Sequence, residues 1–167
     1  MSLNGIADSN TTDKIIVNSN AFFPDIEVQA FIDVYRMPDQ YNEPTLVQEL
    51  KTAMYQVNEE LIDYVLILQS VEASETLEDH NESLPHVYRT AVMATARAGL
   101  IKYFETANRK QAAEVQGDRG DVLKDVWTEA GHNAIDKLTR ALMDAAEAQG
   151  ALGKQPHFAN GFRAKAI

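Results

Sequence analysis

At 167 residues and 18.6 kDa the chain suits one domain with loose ends, and its 45% hydrophobic content is an ordinary globular share. It has no cysteine, which excludes disulfides, a thiolate nucleophile and every cysteine-based zinc or iron–sulfur site. Its formal net charge of −10 argues against binding a phosphate backbone, where cations supply most of the affinity.

Residues 1–21 are rich in Asn, Ser, Thr and Asp, with one apolar run at Ile15, Ile16 and Val17, and they predict a flexible N-terminal arm. Phe22, Phe23 and Pro24 follow as an apolar anchor that either staples the arm to the domain or docks into a neighbour. Asp25 is placed to cap a short helix over 26–36, whose Val28, Phe31, Ile32 and Tyr35 share a face. Pro38 and Pro44 bracket a loop. Thr45 and Gln48 then form a capping box for a helix about 40 Å long. Its stripe is Val47, Leu50, Met54, Val57, Leu61, Tyr64, Leu68 and Val71, and Ile62, Val65, Leu66 and Ile67 widen the later half, which should be the more deeply buried.

An acidic stretch, Glu72 to Glu82, reads as a helix end and solvated loop. Ser83 and Pro85 start a third helix to about Arg109, with Val87, Ala91, Ala94, Ala98, Ile101 and Phe104 inward. Its small residues make the middle thin and let a neighbour approach closely. Gly117 to Gly120 predicts a break, and a fourth helix follows from about Asp121 to Gln149. That helix turns Leu123, Val126, Trp127, Ala130, Ala134, Leu138, Leu142 and Ala145 inward, with Gly131 set against the thin middle of the third helix. Residues 150–167 read as an extended, weakly basic tail carrying Lys154, Arg163 and Lys165. The reading is all-α: an antiparallel helical bundle over 22–149, of about three long helices plus a short N-terminal one, with flexible arms at 1–21 and 150–167.

Catalysis finds no support in these residues. Glu129 and His132 make the Glu-x-x-His half-site of di-iron bundles, but a second copy and two further glutamates are missing, so a surface or interhelical hydrogen bond is the default. Glu78, Asp79, His80, Glu82 and His86 straddle a loop without a metal-binding frame, and fit a solvated charge run better. Glu59, Glu60 and Asp63 belong to the wet face of their helix. No cofactor or metal site is expected. No apolar run is long enough for a membrane span, and Met1 to Asn20 lacks the pattern of a secretory signal, so the cytoplasm is the expected place of synthesis. Charge is unevenly placed: residues 1–82 hold 16 acids and 3 bases, a net −13, whereas residues 83–167 hold 9 acids and 12 bases, a net +3. An acidic half could meet the basic half of a neighbouring copy.

Several pieces, in order, resemble the head completion proteins of P2-like tailed bacteriophages. They are Phe22-Phe23-Pro24-Asp25-Ile26, then Met54 through Asn58-Glu59-Glu60-Leu61 to Tyr64, and Tyr88 to Ala96 continued by Tyr103. Gly117-Asp118 with Leu123 and Trp127 completes the set, which spans about Phe22 to Leu142. The resemblance implies a non-enzymatic protein of the head–tail junction, added at the portal vertex after genome packaging to stabilise the filled head. Its implied partners are the portal protein, neighbouring copies in a ring and a tail completion protein, with packaged DNA passing nearby and no membrane involved. Phe22, Phe23, Arg163 and Lys165 are the candidate partner contacts. The rival expectation is a helical regulatory module whose long stripe pairs with a partner helix.

Overall fold

The computed structural model describes residues 14–37, 41–70, 76–107 and 115–150, with the side chains of 102–107 and 115–119 outside that set. In chain order the elements are β1 (Ile15–Ile16), β2 (Ile26–Glu27), α1 (Val28–Tyr35), α2 (Glu43–Gln69), α3 (Leu77–His80), α4 (Leu84–Ala107) and α5 (Val115–Ala148). The expected all-α bundle is present, with three long helices and one short N-terminal helix. A two-stranded ribbon and the single-turn α3 are additions to it.

The N-terminal boundary differs from the expectation. Among the described residues the arm already packs from Lys14 onward, since Ile15 pairs antiparallel with Glu27 and Ile16 with Ile26. The Val28 amide donates to the Lys14 carbonyl at 3.0 Å, so the ribbon leads directly into α1. Ile16, buried beside Ile26, supplies the apolar contact that holds this short pairing. Residues 1–13 lie outside the described residues, as does the tail beyond Gly150. Asp25 does not cap α1. Its carboxylate instead accepts from the Asn18 amide at 2.8 Å, and α1 begins after Glu27 with no side-chain cap.

Helix α2 starts two residues before the expected box. Asn42 is its cap, accepting from the Thr45 amide at 2.9 Å, and Pro44 lies inside the first turn, where a missing amide hydrogen is harmless. Leu50, Met54, Val57, Leu61 and Leu68 point inward as the stripe requires, while Val47 and Tyr64 are half-buried and Val71 falls outside the described residues. The later half is not uniformly deeper, because Leu66 is 56% exposed.

Helix α4 is the centre of the fold. Ala91, Val92, Met93 and Ala94 are all buried, which one-sided packing cannot achieve, and α4 contacts α2, α3 and α5. Val87 and Ile101, expected inward, are half-buried, and the side chain of Phe104 is outside the described set. Small side chains keep the rod slim enough to be surrounded. Seven residues separate α4 from α5, too few to run back along a rod about 36 Å long, so the two helices pack antiparallel. Gly131 faces α4 as expected: a Cβ there would lie 2.8 Å from Thr95 Oγ1 and 3.8 Å from the Ala91 carbonyl oxygen.

The break expected at Gly117 to Gly120 is absent. Those residues form the first turns of α5, which begins at Val115. Glycine weakens a helix without forbidding it, at a cost of about 1 kcal/mol per position relative to alanine. Nor do Leu123 and Val126 turn inward; both are exposed, as is Val122. The first half of α5 therefore carries uncovered apolar surface, while Ala134, Leu138 and Leu142 in the second half are buried against α2 and α4.

Candidate assembly surface

The segment from Asn18 to Asp25 crosses the beginning of α4 as a strap, and its fastening is polar at the centre. The Asn18 side-chain amide donates to the Tyr88 hydroxyl at 2.7 Å, and that hydroxyl donates to Asn58 Oδ1 at 2.6 Å. Asn58 Nδ2 closes the ring on Asn18 Oδ1 at 2.8 Å. Three segments, the strap, α2 and α4, thus meet in one satisfied network. All three residues are buried, Tyr88 completely. Burial pushes the Tyr88 phenol well above its ordinary range, the bond from Asn18 pulling the other way, so it remains a neutral donor.

Phe23 covers this network and Phe22 packs beyond it. Phe23 stacks on Tyr88 with ring centroids 4.8 Å apart, and Phe22 meets Phe23 edge-on at 5.3 Å. The Phe22 carbonyl accepts from the Leu77 amide at 2.8 Å, tying α3 to the strap. Of the two roles weighed for this pair, stapling is the one visible within a single chain: both rings are almost wholly buried. Asn18 and Asn58 escaped the sequence reading, Asn18 because it sits in a polar stretch. Asn58 carried a signal, since it falls between Met54 and Leu61 on the apolar side of α2, where an amide needs a buried partner.

Beside the strap lies an open cleft of about 360 Å³. Buried Phe22, Phe23, Leu77 and Pro85 form its apolar floor. Exposed Glu78, Glu82 and His86, with Arg89, form the rim. The Arg89 guanidinium donates through Nε to the Asp25 carbonyl at 3.4 Å, which ties it to the strap. The acidic run considered as ligands is thus split: Glu78, Glu82 and His86 stand at the rim, whereas Asp79 accepts from the Thr76 amide at 2.8 Å to cap α3 and the His80 ring lies 5.8 Å from that of Phe22. Among the described residues no group of three or more histidines and carboxylates is gathered as a metal would require. Glu129 and His132 are both on the exposed face of α5.

Further along the bundle, Trp127 is half-buried and its ring lies 5.1 Å from that of Tyr35, so it fastens α1 to α5. Arg97 performs a similar task between α4 and the segment after α1, with Nη1 3.0 Å from Met37 Sδ and the guanidinium 5.9 Å from the Tyr41 ring centre. Arg163 and Lys165 lie outside the described residues. No described helix is long and apolar enough to cross a membrane.

A rigid helical block with its strap locked by a buried network, uncovered apolar residues on one helix end and an acidic-rimmed cleft at the other offers surfaces for assembly. A family model described as phage head completion protein (GPL) matches residues 17–147, from the strap almost to the end of α5. No curated protein and no solved structure matches the chain. The match covers most of the sequence in one piece, and the chain belongs to the phage head completion protein (GPL) family, a structural family of phage head assembly.

Proposed function

We propose that the chain docks on the portal vertex after DNA packaging, as a ring of copies at the head–tail junction of the virion, and stabilises the filled head without catalysing a reaction. The observation that carries this reading is the family match over residues 17–147. A block held by the Asn18–Asn58–Tyr88 network keeps its shape from copy to copy, which a ring requires. Apolar Val122, Leu123 and Val126, exposed on α5, are the kind of surface that assembly covers. The termini extend the contact: Arg163 and Lys165 reach portal or neighbouring subunits, while Phe22 and Phe23 contribute through the cleft they floor. A tail completion protein then meets the finished ring.

DNA passes through such a ring without being bound, and the acidic half of the chain, net −13 over residues 1–82, suits a channel that repels phosphate. A lumen lined mainly by lysine and arginine would contradict that arrangement. The deciding experiment is electron microscopy of the protein mixed with its own portal. Rings capping the portal are expected, and bare portals at saturating protein would overturn the reading.

A further inference from the structure

We infer that the acidic-rimmed cleft beside the strap receives the C-terminal segment Phe158–Lys165 of a neighbouring copy. This rests on the reading that copies assemble side by side, and it assigns the tail a receptor within that assembly.

Tail and cleft are chemically complementary. The floor of the cleft is apolar and partly aromatic; at its rim the exposed Glu78 and Glu82 carboxylates outnumber the single guanidinium of Arg89, which is drawn to the Asp25 carbonyl. Residues 151–167 include Lys154, Arg163 and Lys165 and no acid, and Phe158 and Phe162 are their only aromatic residues. An aromatic side chain entering the floor while an adjacent base meets a rim carboxylate satisfies both parts at once. At about 360 Å³ the cleft falls in the range of side-chain and small-ligand sites.

Helix α5 also leads away from its own cleft. Because Gly131 sits opposite Ala91 and Thr95 in the antiparallel pair, Pro85 to Arg89 lie level with the later part of α5. From there α5 continues to Ala148, which carries the root of the tail roughly 14–20 Å past the cleft at 1.5 Å per residue. The helix axis points away from its own cleft and towards whatever stands beyond that end of the bundle. Extended, the eight residues from Gly150 to Phe158 reach up to about 29 Å, and the twelve to Phe162 about 43 Å. That exceeds the offset between the tail root and the level of the cleft, so the segment can span a side-by-side contact, and cross-linking separates a neighbour's cleft from the chain's own.

The absence of cysteine permits a direct test in the full chain. One population carries Ala21→Cys, at an exposed lining position that leaves both rim carboxylates in place, and another carries Asn160→Cys. They are mixed, assembled with the portal and mildly oxidised. A mixed disulfide-linked dimer is expected at least tenfold above that formed when Glu59→Cys, on the exposed face of α2, replaces Ala21→Cys. Adding Phe158→Ala and Phe162→Ala to the tail should lower the yield at least fivefold. Portals capped by protein but with cross-linking no better than the control would overturn the docking alone. Cross-linking only within single chains, when both cysteines share one chain, would overturn it too. Uncapped portals in the same samples would remove the ring and the docking together.

Discussion

Tyr88→Phe removes one oxygen atom and leaves the ring, and with it the stack on Phe23, in place. That oxygen accepts from Asn18 at 2.7 Å and donates to Asn58 at 2.6 Å. Without it the Asn18 amide keeps a weaker bond to the Pro24 carbonyl at 3.3 Å, whereas Asn58 Oδ1 loses the donor it has in the buried network. A buried polar atom stripped of its partner costs about 1–3 kcal/mol, and the partial rescue of Asn18 places the total near 2 kcal/mol. For a domain of this size that corresponds to a fall in Tm of about 4–8 °C. The loss should also be local. Since Asn18 anchors the strap, amide exchange at residues 14–23 should accelerate more than in the α2 core. Thermal and urea unfolding followed by circular dichroism, with hydrogen exchange by mass spectrometry, measure both effects. Tyr55→Phe, on an exposed ring, is the control and should stay within about 0.5 kcal/mol of the parent. If Tyr88→Phe matched that control in stability and exchange, the network would not be what holds the strap.

Other outcomes follow from the same packing. Gly131→Leu should cost about 1–3 kcal/mol, because the Thr95 amide nitrogen and the Ala91 carbonyl of α4 stand within 4 Å of the position of a Cβ and leave no room for a branched side chain; an unchanged urea midpoint would refute the close approach. Burial raises the pKa of Glu49, so the folded state binds its proton more tightly than the unfolded chain does. That contribution is present below the unfolded carboxylate range and lost as pH rises through the folded value. Glu49→Gln should therefore be more stable than the parent at neutral pH and converge with it in acid, measured as paired urea midpoints. Leu123→Ser combined with Val126→Ser should leave monomer stability within about 0.5 kcal/mol while weakening portal capping in electron micrographs, since both side chains are exposed on α5. A large stability loss would show that these residues are packed inward.

The all-α class, the course of α2 and the antiparallel partnership of α4 and α5 follow from local pattern, because a repeat of three and four along a chain states which side of a helix is apolar. Gly131 against the thin stretch of α4 follows for the same reason: a missing side chain on one rod and small ones on another allow close approach. Family resemblance was carried by ordered local motifs, which survive without knowledge of their contacts.

Only the folded chain decided what periodicity does not encode. A stripe names a face but not what covers it, so Leu123 and Val126 look like core until α5 is seen to carry them uncovered. Asn18 and Asn58 are 40 positions apart, and nothing local announces that they share a hydrogen bond. Pairing of Ile15 and Ile16 with Glu27 and Ile26 depends on the strap turning back over Tyr88, which makes residues 14–21 part of the domain. Gly117 to Gly120 stayed helical although two glycines weaken a helix, because the cost of about 1 kcal/mol each is small beside the cooperative gain of continuing a long helix that is anchored further along. Local chemistry settles which conformations are cheap; long-range packing chooses among them, and here it built the strap, the cleft and the exposed end of α5.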